Sequence, residues 1–239
     1  MLKRMLIGLS VLLNVVVIGV AVTLYASPMS VLGMFLGDFV ALSYERWTSQ
    51  FEHLEIQAGD VVFLGDSITE GGAWDELFPG MPVRNRGIGG DTTSGVLDRL
   101  DQITRGRPGK VFLKIGTNDL FIGVPEAEIA ANVARIVREL KAASAGTQVY
   151  VQSVLPRQVE YRQAVESLNE RLQAVAAASG ATWIDLYPRF LDAADGSIRD
   201  DLANDGLHLL GDGYLIWREQ IAHLVNEPAS SPTTSQAGV

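Results

Sequence analysis

An α/β fold, with a parallel sheet covered by helices on both faces, is what this 239-residue chain predicts. Three observations carry that prediction. Short apolar runs of strand length recur without a polar alternation, which marks strands buried on both faces. Stretches with apolar residues at helical spacing separate them. Clusters of Gly, Asp, Asn and Thr follow the runs, where sheets of this kind hold their ligands.

The elements follow in order. Val61–Leu64 is the first strand, and Gly65, Asp66 and Ser67 come after it. A weaker run, Pro82–Asn85, leads into Arg86-Gly87-Ile88-Gly89-Gly90-Asp91-Thr92-Thr93. Val96, Leu100 and Ile103 share one helical face. Val111–Ile115 is a strand that ends on Gly116-Thr117-Asn118-Asp119. Pro125 suits the first turn of the next helix, Glu126 and Glu128 favour its dipole, and Ile129, Val133, Ile136 and Leu140 form its stripe. Val149–Val151 is a strand. Val165, Leu168, Leu172 and Val175 form a helical stripe that stops before Gly180, a C-cap residue. Trp183–Ile184 is the last strand, and Tyr214, Trp217, Ile221 and Leu224 mark the last helix.

Residues 1–26 predict a membrane anchor. Met5–Ala26 contains no charge, and about 20 helical residues span the roughly 30 Å hydrocarbon core of a bilayer. A cleaved signal peptide is the alternative. Its apolar region runs to about 7–15 residues, shorter than this one, and no A-x-A site follows here. Lys3 and Arg4 precede the span, so the remainder is expected outside the cytoplasm, periplasmic or extracellular, and secreted if the segment is cleaved. Residues 27–58 read as a connector that packs on the domain or lies at the membrane surface. Residues 59–225 form the domain. Residues 226–239, rich in Ser, Thr, Pro and Ala, read as a disordered tail.

Composition removes whole classes of function. Hydrophobic residues at 47% and charged residues at 20% exclude a largely disordered chain. A net charge of −9 with scattered Lys and Arg argues against nucleic acid as a partner. The absence of cysteine excludes disulfides, zinc–thiolate and iron–sulfur sites and cysteine nucleophiles. His53, His208 and His223 are too few for an imidazole-rich metal site, although carboxylates can still hold a hard cation. Composition says nothing of oligomeric state.

Each polar cluster alone is turn chemistry. Together, in this order and each after a strand, they supply the parts of an ester hydrolase. Ser67 offers a hydroxyl that needs a neighbouring base. His208 is that base by elimination, since His53 precedes the domain and His223 lies within a helix. Asp205, three residues earlier, can reach the other ring nitrogen, and Asp185 is the alternative orienting carboxylate. The N–H groups of Ser67 and Gly90 and the side-chain amide of Asn118 can supply an oxyanion hole. Gly87, Gly89 and Gly90 do not make a phosphate-binding fingerprint, and the lysine of a P-loop is missing. Asp66 and Asp119 are expected to hold loops by hydrogen bonds, and Thr92 and Thr93 to cap the following helix. Leu120, Phe121 and Ile122 are candidates for an acyl pocket or for core. Arg86 and Trp74 are candidates for substrate contact, with surface packing as the default reading.

The blocks GDSI, GIGGDTT, GTND and DGLH resemble those of the SGNH (GDSL) hydrolases, over roughly residues 59 to 225. GDSI stands where the name has GDSL. GIGGDTTSGVLDRL is similar to catalytic subunits of the platelet-activating-factor acetylhydrolase type and to lysophospholipase-like bacterial esterases. The resemblance implies a three-layer, flavodoxin-like fold with a central parallel sheet, to which the uncharged Met5–Ala26 run adds one expected N-terminal transmembrane helix. It implies hydrolysis of esters or thioesters through an acyl-serine. It assigns Ser67, Asp205 and His208 to the triad and Ser67, Gly90 and Asn118 to the oxyanion hole, with no cofactor and no metal. The expected partner is a small-molecule ester, an O-acetyl sugar or a lysophospholipid type. The rival readings are a non-catalytic glycan-binding module of the envelope and a nucleotide-binding flavodoxin-like protein.

Overall fold

The computed structural model describes residues 28–227 together with Leu13, Asn14 and Val17. The chain divides into two compact units, 1–43 and 44–239. Helix α1 (Pro28–His53) begins in the first unit and ends in the second. Among the described residues, no helix is long and apolar enough to cross a membrane. The predicted span Met5–Ala26 lies outside the described residues, apart from Leu13, Asn14 and Val17. The predicted tail beyond Glu227 also lies outside them.

The second unit is a five-stranded parallel sheet in the order β2-β1-β3-β4-β5. Its strands are β1 (Val61–Gly65), β2 (Val83–Gly87), β3 (Lys110–Lys114), β4 (Gln148–Gln152) and β5 (Thr182–Ile184). Every predicted strand is present, shifted by a residue or two. The weakest signal belongs to the edge strand β2, whose Arg84, Asn85 and Arg86 dilute the apolar run.

Alternation along the strands separates two cores. Val62, Leu64, Val111, Leu113, Val149 and Val151 face α4 (Thr93–Asp98), α7 (Glu126–Ala143) and α8 (Arg162–Ser179), where Val96, Ile129, Val133, Leu168 and Leu172 pack. Val61, Phe63, Phe112 and Tyr150 face the opposite way, towards Trp74 of α3 (Trp74–Leu77) and Phe78 and towards Trp217 and Ile221 of α10 (Gly211–Asn226). On that face Phe63 stacks on Trp74 with ring centroids 4.0 Å apart, and Phe112 stacks on Tyr150 at 4.4 Å. Trp74 is 1% exposed, so the surface reading of that residue is corrected.

From Tyr44 onward the segment read as a connector makes contacts within the second unit. Phe51 and Ile56 are buried, and the Tyr44 hydroxyl donates to the carbonyl of Gly95 at 2.9 Å. The predicted helix through Val96, Leu100 and Ile103 is two short ones, α4 and α5 (Asp101–Thr104). All three side chains are buried. The break falls beside Arg99, whose backbone leaves helical geometry (φ −114°, ψ 11°) while its side chain binds Asp91. Pro125 stands one position earlier than predicted, as the residue preceding α7. Gly180 ends α8 in left-handed geometry (φ +64°), as its position predicts.

Parallel register is what positions the site. Gly65 at the end of β1 pairs with Gly87 of β2 and with Lys114 of β3. Three polar clusters therefore leave the sheet at one level of its carboxyl edge.

Candidate active site

Ser67 opens α2 (Ser67–Glu70), a single turn directly after β1. Asp66 makes that turn form here, because its Oδ1 accepts the N–H of Ile68 at 3.0 Å as an N-cap. As the first helical residue, Ser67 presents an N–H with no intrahelical acceptor. The Trp74 indole donates to the carbonyl of Thr69 at 2.8 Å, and the Tyr214 hydroxyl donates to that of Ile68 at 2.9 Å. The turn is thus tied to the aromatic core beneath it.

His208 arrives from the loop before α10. Its Nε2 lies 2.9 Å from Ser67 Oγ, and its Nδ1 lies 2.6 Å from Asp205 Oδ2. Asp205 Oδ1 accepts the N–H groups of Leu207 at 2.9 Å and His208 at 2.7 Å, which closes the turn around Gly206 (φ +75°). Burial acts to raise the Asp205 carboxyl, but the hydrogen bonds from the His208 ring and from the backbone of His208 and Leu207 hold it below the ordinary carboxylate range. An acceptor-only carboxylate makes Nδ1 the protonated nitrogen, so Nε2 is free to accept the serine proton.

Gly90 has φ +77°, a conformation that glycine adopts without strain. A Cβ on the preceding Gly89 would come within 4.0 Å of the Ser67 Cβ, so this loop runs beside the serine. The Asn118 amide donates to the carbonyl of Asp91 at 2.8 Å, which joins α6 (Thr117–Phe121) to the Gly90 loop. A second amide hydrogen remains for a ligand.

A buried scaffold holds these loops. Asp119 accepts the Thr93 hydroxyl at 2.6 Å and its N–H at 3.1 Å, as expected of a loop-holding carboxylate. Thr92 caps α4 by accepting the Gly95 N–H at 3.2 Å. Arg99 reaches Asp91 Oδ2 at 2.7 Å and donates to the carbonyls of Gly65 and Arg86, binding the ends of β1 and β2 to the Gly90 loop. Burial pushes the Asp91 carboxyl up to about 6 against the pull of Arg99. Arg99 and Lys114 were not singled out in the sequence, where a charged residue defaults to the surface.

Other expectations fall differently. Asp185 accepts the N–H of Tyr187, the first residue of α9 (Tyr187–Phe190), whereas the His208 ring meets Asp205. His53 and His223 are exposed on their helices. Arg86 is buried at 4% exposure, its guanidinium 4.6 Å from the Phe51 ring centre, so its surface reading is corrected. Phe121 and Ile122 are 63% and 64% exposed and belong to no core. Among the described residues, no group of three or more His, Asp or Glu is placed to hold a metal.

Chemically, the arrangement can pass a hydroxyl proton to an imidazole whose tautomer a carboxylate sets, beside a loop where glycine leaves room for a ligand.

Comparisons with known proteins place the chain among ester hydrolases. Residues 63–216 match the model of the GDSL-like lipase/acylhydrolase family. The chain is 31% identical over 183 residues to the platelet-activating factor acetylhydrolase IB subunit alpha1 of Bos taurus, covering 71% of this chain and 78% of the relative. It is 30% identical over 184 residues to the alpha2 subunit of Rattus norvegicus, covering 71% and 79%. Among solved structures, a GDSL-like lipase from Bacteroides thetaiotaomicron superposes with a TM-score of 0.69 at 26% identity, covering 77% of this chain and 97% of that one. An acetylxylan esterase from Geobacillus stearothermophilus shares the fold, with a TM-score of 0.59 at 18% identity, covering 74% and 99%.

Proposed function

This chain belongs to the GDSL-like lipase/acylhydrolase family and is an ester hydrolase, and we propose that it works through Ser67, His208 and Asp205. The observation that carries the assignment is the continuous chain from Ser67 Oγ to His208 Nε2 and from His208 Nδ1 to Asp205. Ser67 Oγ attacks the ester carbonyl as its proton moves to His208 Nε2. The carbonyl oxygen becomes an oxyanion that accepts from the N–H groups of Ser67 and Gly90 and from the Asn118 amide. His208 then returns the proton to the leaving alcohol, and the acyl group stays on Ser67. Water, deprotonated by His208, attacks the acyl-serine and releases the acid and free Ser67. Asp205 remains ionised throughout, consistent with its depressed carboxyl.

The substrate proposed is a small acyl ester, an O-acetyl group on a sugar or the acyl chain of a lysophospholipid. We place the enzyme at the cell envelope, anchored through residues 1–26. The support for that placement is the uncharged Met5–Ala26 stretch with Lys3 and Arg4 before it. Rates on p-nitrophenyl esters from acetyl to dodecanoyl separate the two substrate types. A maximum at acetyl favours the sugar ester, and a rise with chain length favours the lipid. Release of the full chain from membranes by carbonate, without detergent, would remove the anchor. Hydrolysis of p-nitrophenyl acetate that survives Ser67→Ala would remove the nucleophile.

A further inference from the structure

Lys114 ends β3 with a side chain 1% exposed, facing the equally buried Asp66. Its Nζ lies 3.4 and 3.5 Å from the two carboxylate oxygens. This is a different use of lysine from Lys110, whose Nζ is engaged by the carbonyls of Leu224, Val225 and Glu227 at the end of α10. The carboxylate that Lys114 meets is the N-cap of the turn that presents Ser67.

Asp91, in the loop after β2, and Asp119, in α6, are two further carboxylates that interact with Asp66, while the Tyr214 phenol of α10, pushed up to about 12 by burial, is neutral. The neighbouring Arg99 is committed to Asp91. Lys114 is the cation in contact with Asp66, held there although burial favours its neutral form and Asp66 its charged one.

We propose that Lys114 is a positioning residue that neutralises Asp66, so that negative charge can build at the substrate oxygen beside Ser67 without a buried anion one residue away. The inference rests on the reading of Ser67 as nucleophile. A fixed anion beside a developing oxyanion opposes it, most strongly where water is excluded. Without the lysine charge, Asp66 is an unpaired buried carboxylate. In general a buried carboxylate that loses its counter-charge favours its neutral form, so its negative charge appears only towards higher pH.

The test is the pH profile of kcat for Lys114→Met, for Lys114→Gln and for the double variant Lys114→Met/Asp66→Asn, with folding followed by circular dichroism. Each single variant is expected to lose about tenfold or more in kcat between pH 5 and 8 relative to wild type, the effect of about one pKa unit of charge interaction. Lys114→Gln keeps an N–H donor and removes the charge, so it separates charge from hydrogen bonding. The double variant is expected to lose this extra limb and to outpace Lys114→Met at pH 8. Single profiles parallel to wild type, or a double variant no faster than Lys114→Met, would overturn the proposal. If neither single variant folds, a double variant that folds and is labelled by a fluorophosphonate supports it. A double variant that folds no better overturns it. Wild-type protein that resists the fluorophosphonate points instead to a failed assignment of Ser67.

Discussion

Replacing Asp205 with alanine tests the triad at its most exposed member. The substitution removes the 2.6 Å partner of His208 Nδ1 and the acceptor of two backbone N–H groups at 2.7 and 2.9 Å. In triads with a buried carboxylate, its loss costs about 10⁴ in kcat. Here the Asp205 and His208 side chains are 50% and 47% exposed. Water can occupy the vacated place at Nδ1, and solvent screens the lost charge. The expected fall in kcat is therefore about 10²–10³, or about 3–4 kcal/mol of transition-state stabilisation. KM should stay within about threefold, because the carboxylate acts on the histidine and not on the substrate. The assay is steady-state hydrolysis of p-nitrophenyl acetate by wild type, Asp205→Ala and Asp185→Ala, the last expected to match wild type. A loss below about tenfold for Asp205→Ala, or a larger loss for Asp185→Ala, would refute the reasoning.

Three further outcomes follow from the same geometry. Asn118→Ala should lower kcat by about 10²–10³ with little change in KM, as for removal of one oxyanion donor; a change confined to KM would show that Asn118 binds ground state and transition state alike. Arg99→Met leaves Asp91 buried and unpaired and should cost about 3–5 kcal/mol, seen as a fall in Tm of roughly 6–20 °C by calorimetry. The depressed Asp205 carboxyl stabilises the fold above its ordinary range near 3.9 and loses that contribution as pH falls through the lower folded value. The contribution of the Asp205 carboxylate to the Tm difference between wild type and Asp205→Ala should therefore be lost only below about pH 4.

The strands were legible because burial on both faces leaves an unbroken apolar run, as in Val61–Leu64 and Val111–Ile115. Gly180 was legible because a left-handed helix end leaves few residue choices. The pairing of Ser67, His208 and Asp205 was readable because each stands just past a strand or in one short turn. Long-range electrostatics was not readable. Nothing local in Lys114, Arg99 or Arg86 distinguishes a buried cation from a surface one, since each also has a partner more than 30 residues away: Asp66 for Lys114, the Gly65 carbonyl for Arg99 and the Leu54 carbonyl for Arg86. Trp74 was misplaced for a related reason: its burial depends on Phe63 and Trp217, which only the fold brings to it. The split of the Val96–Ile103 helix falls at Arg99, whose side chain meets Asp91, a contact that helical periodicity does not contain.

The most direct measurement of the central claim is the site of covalent capture. Wild-type protein is treated with a fluorophosphonate, digested, and mapped by mass spectrometry. The account predicts one adduct, on Ser67, formed in step with loss of esterase activity and absent from Ser67→Ala. An adduct on another residue, or full activity in protein labelled at Ser67, would contradict it.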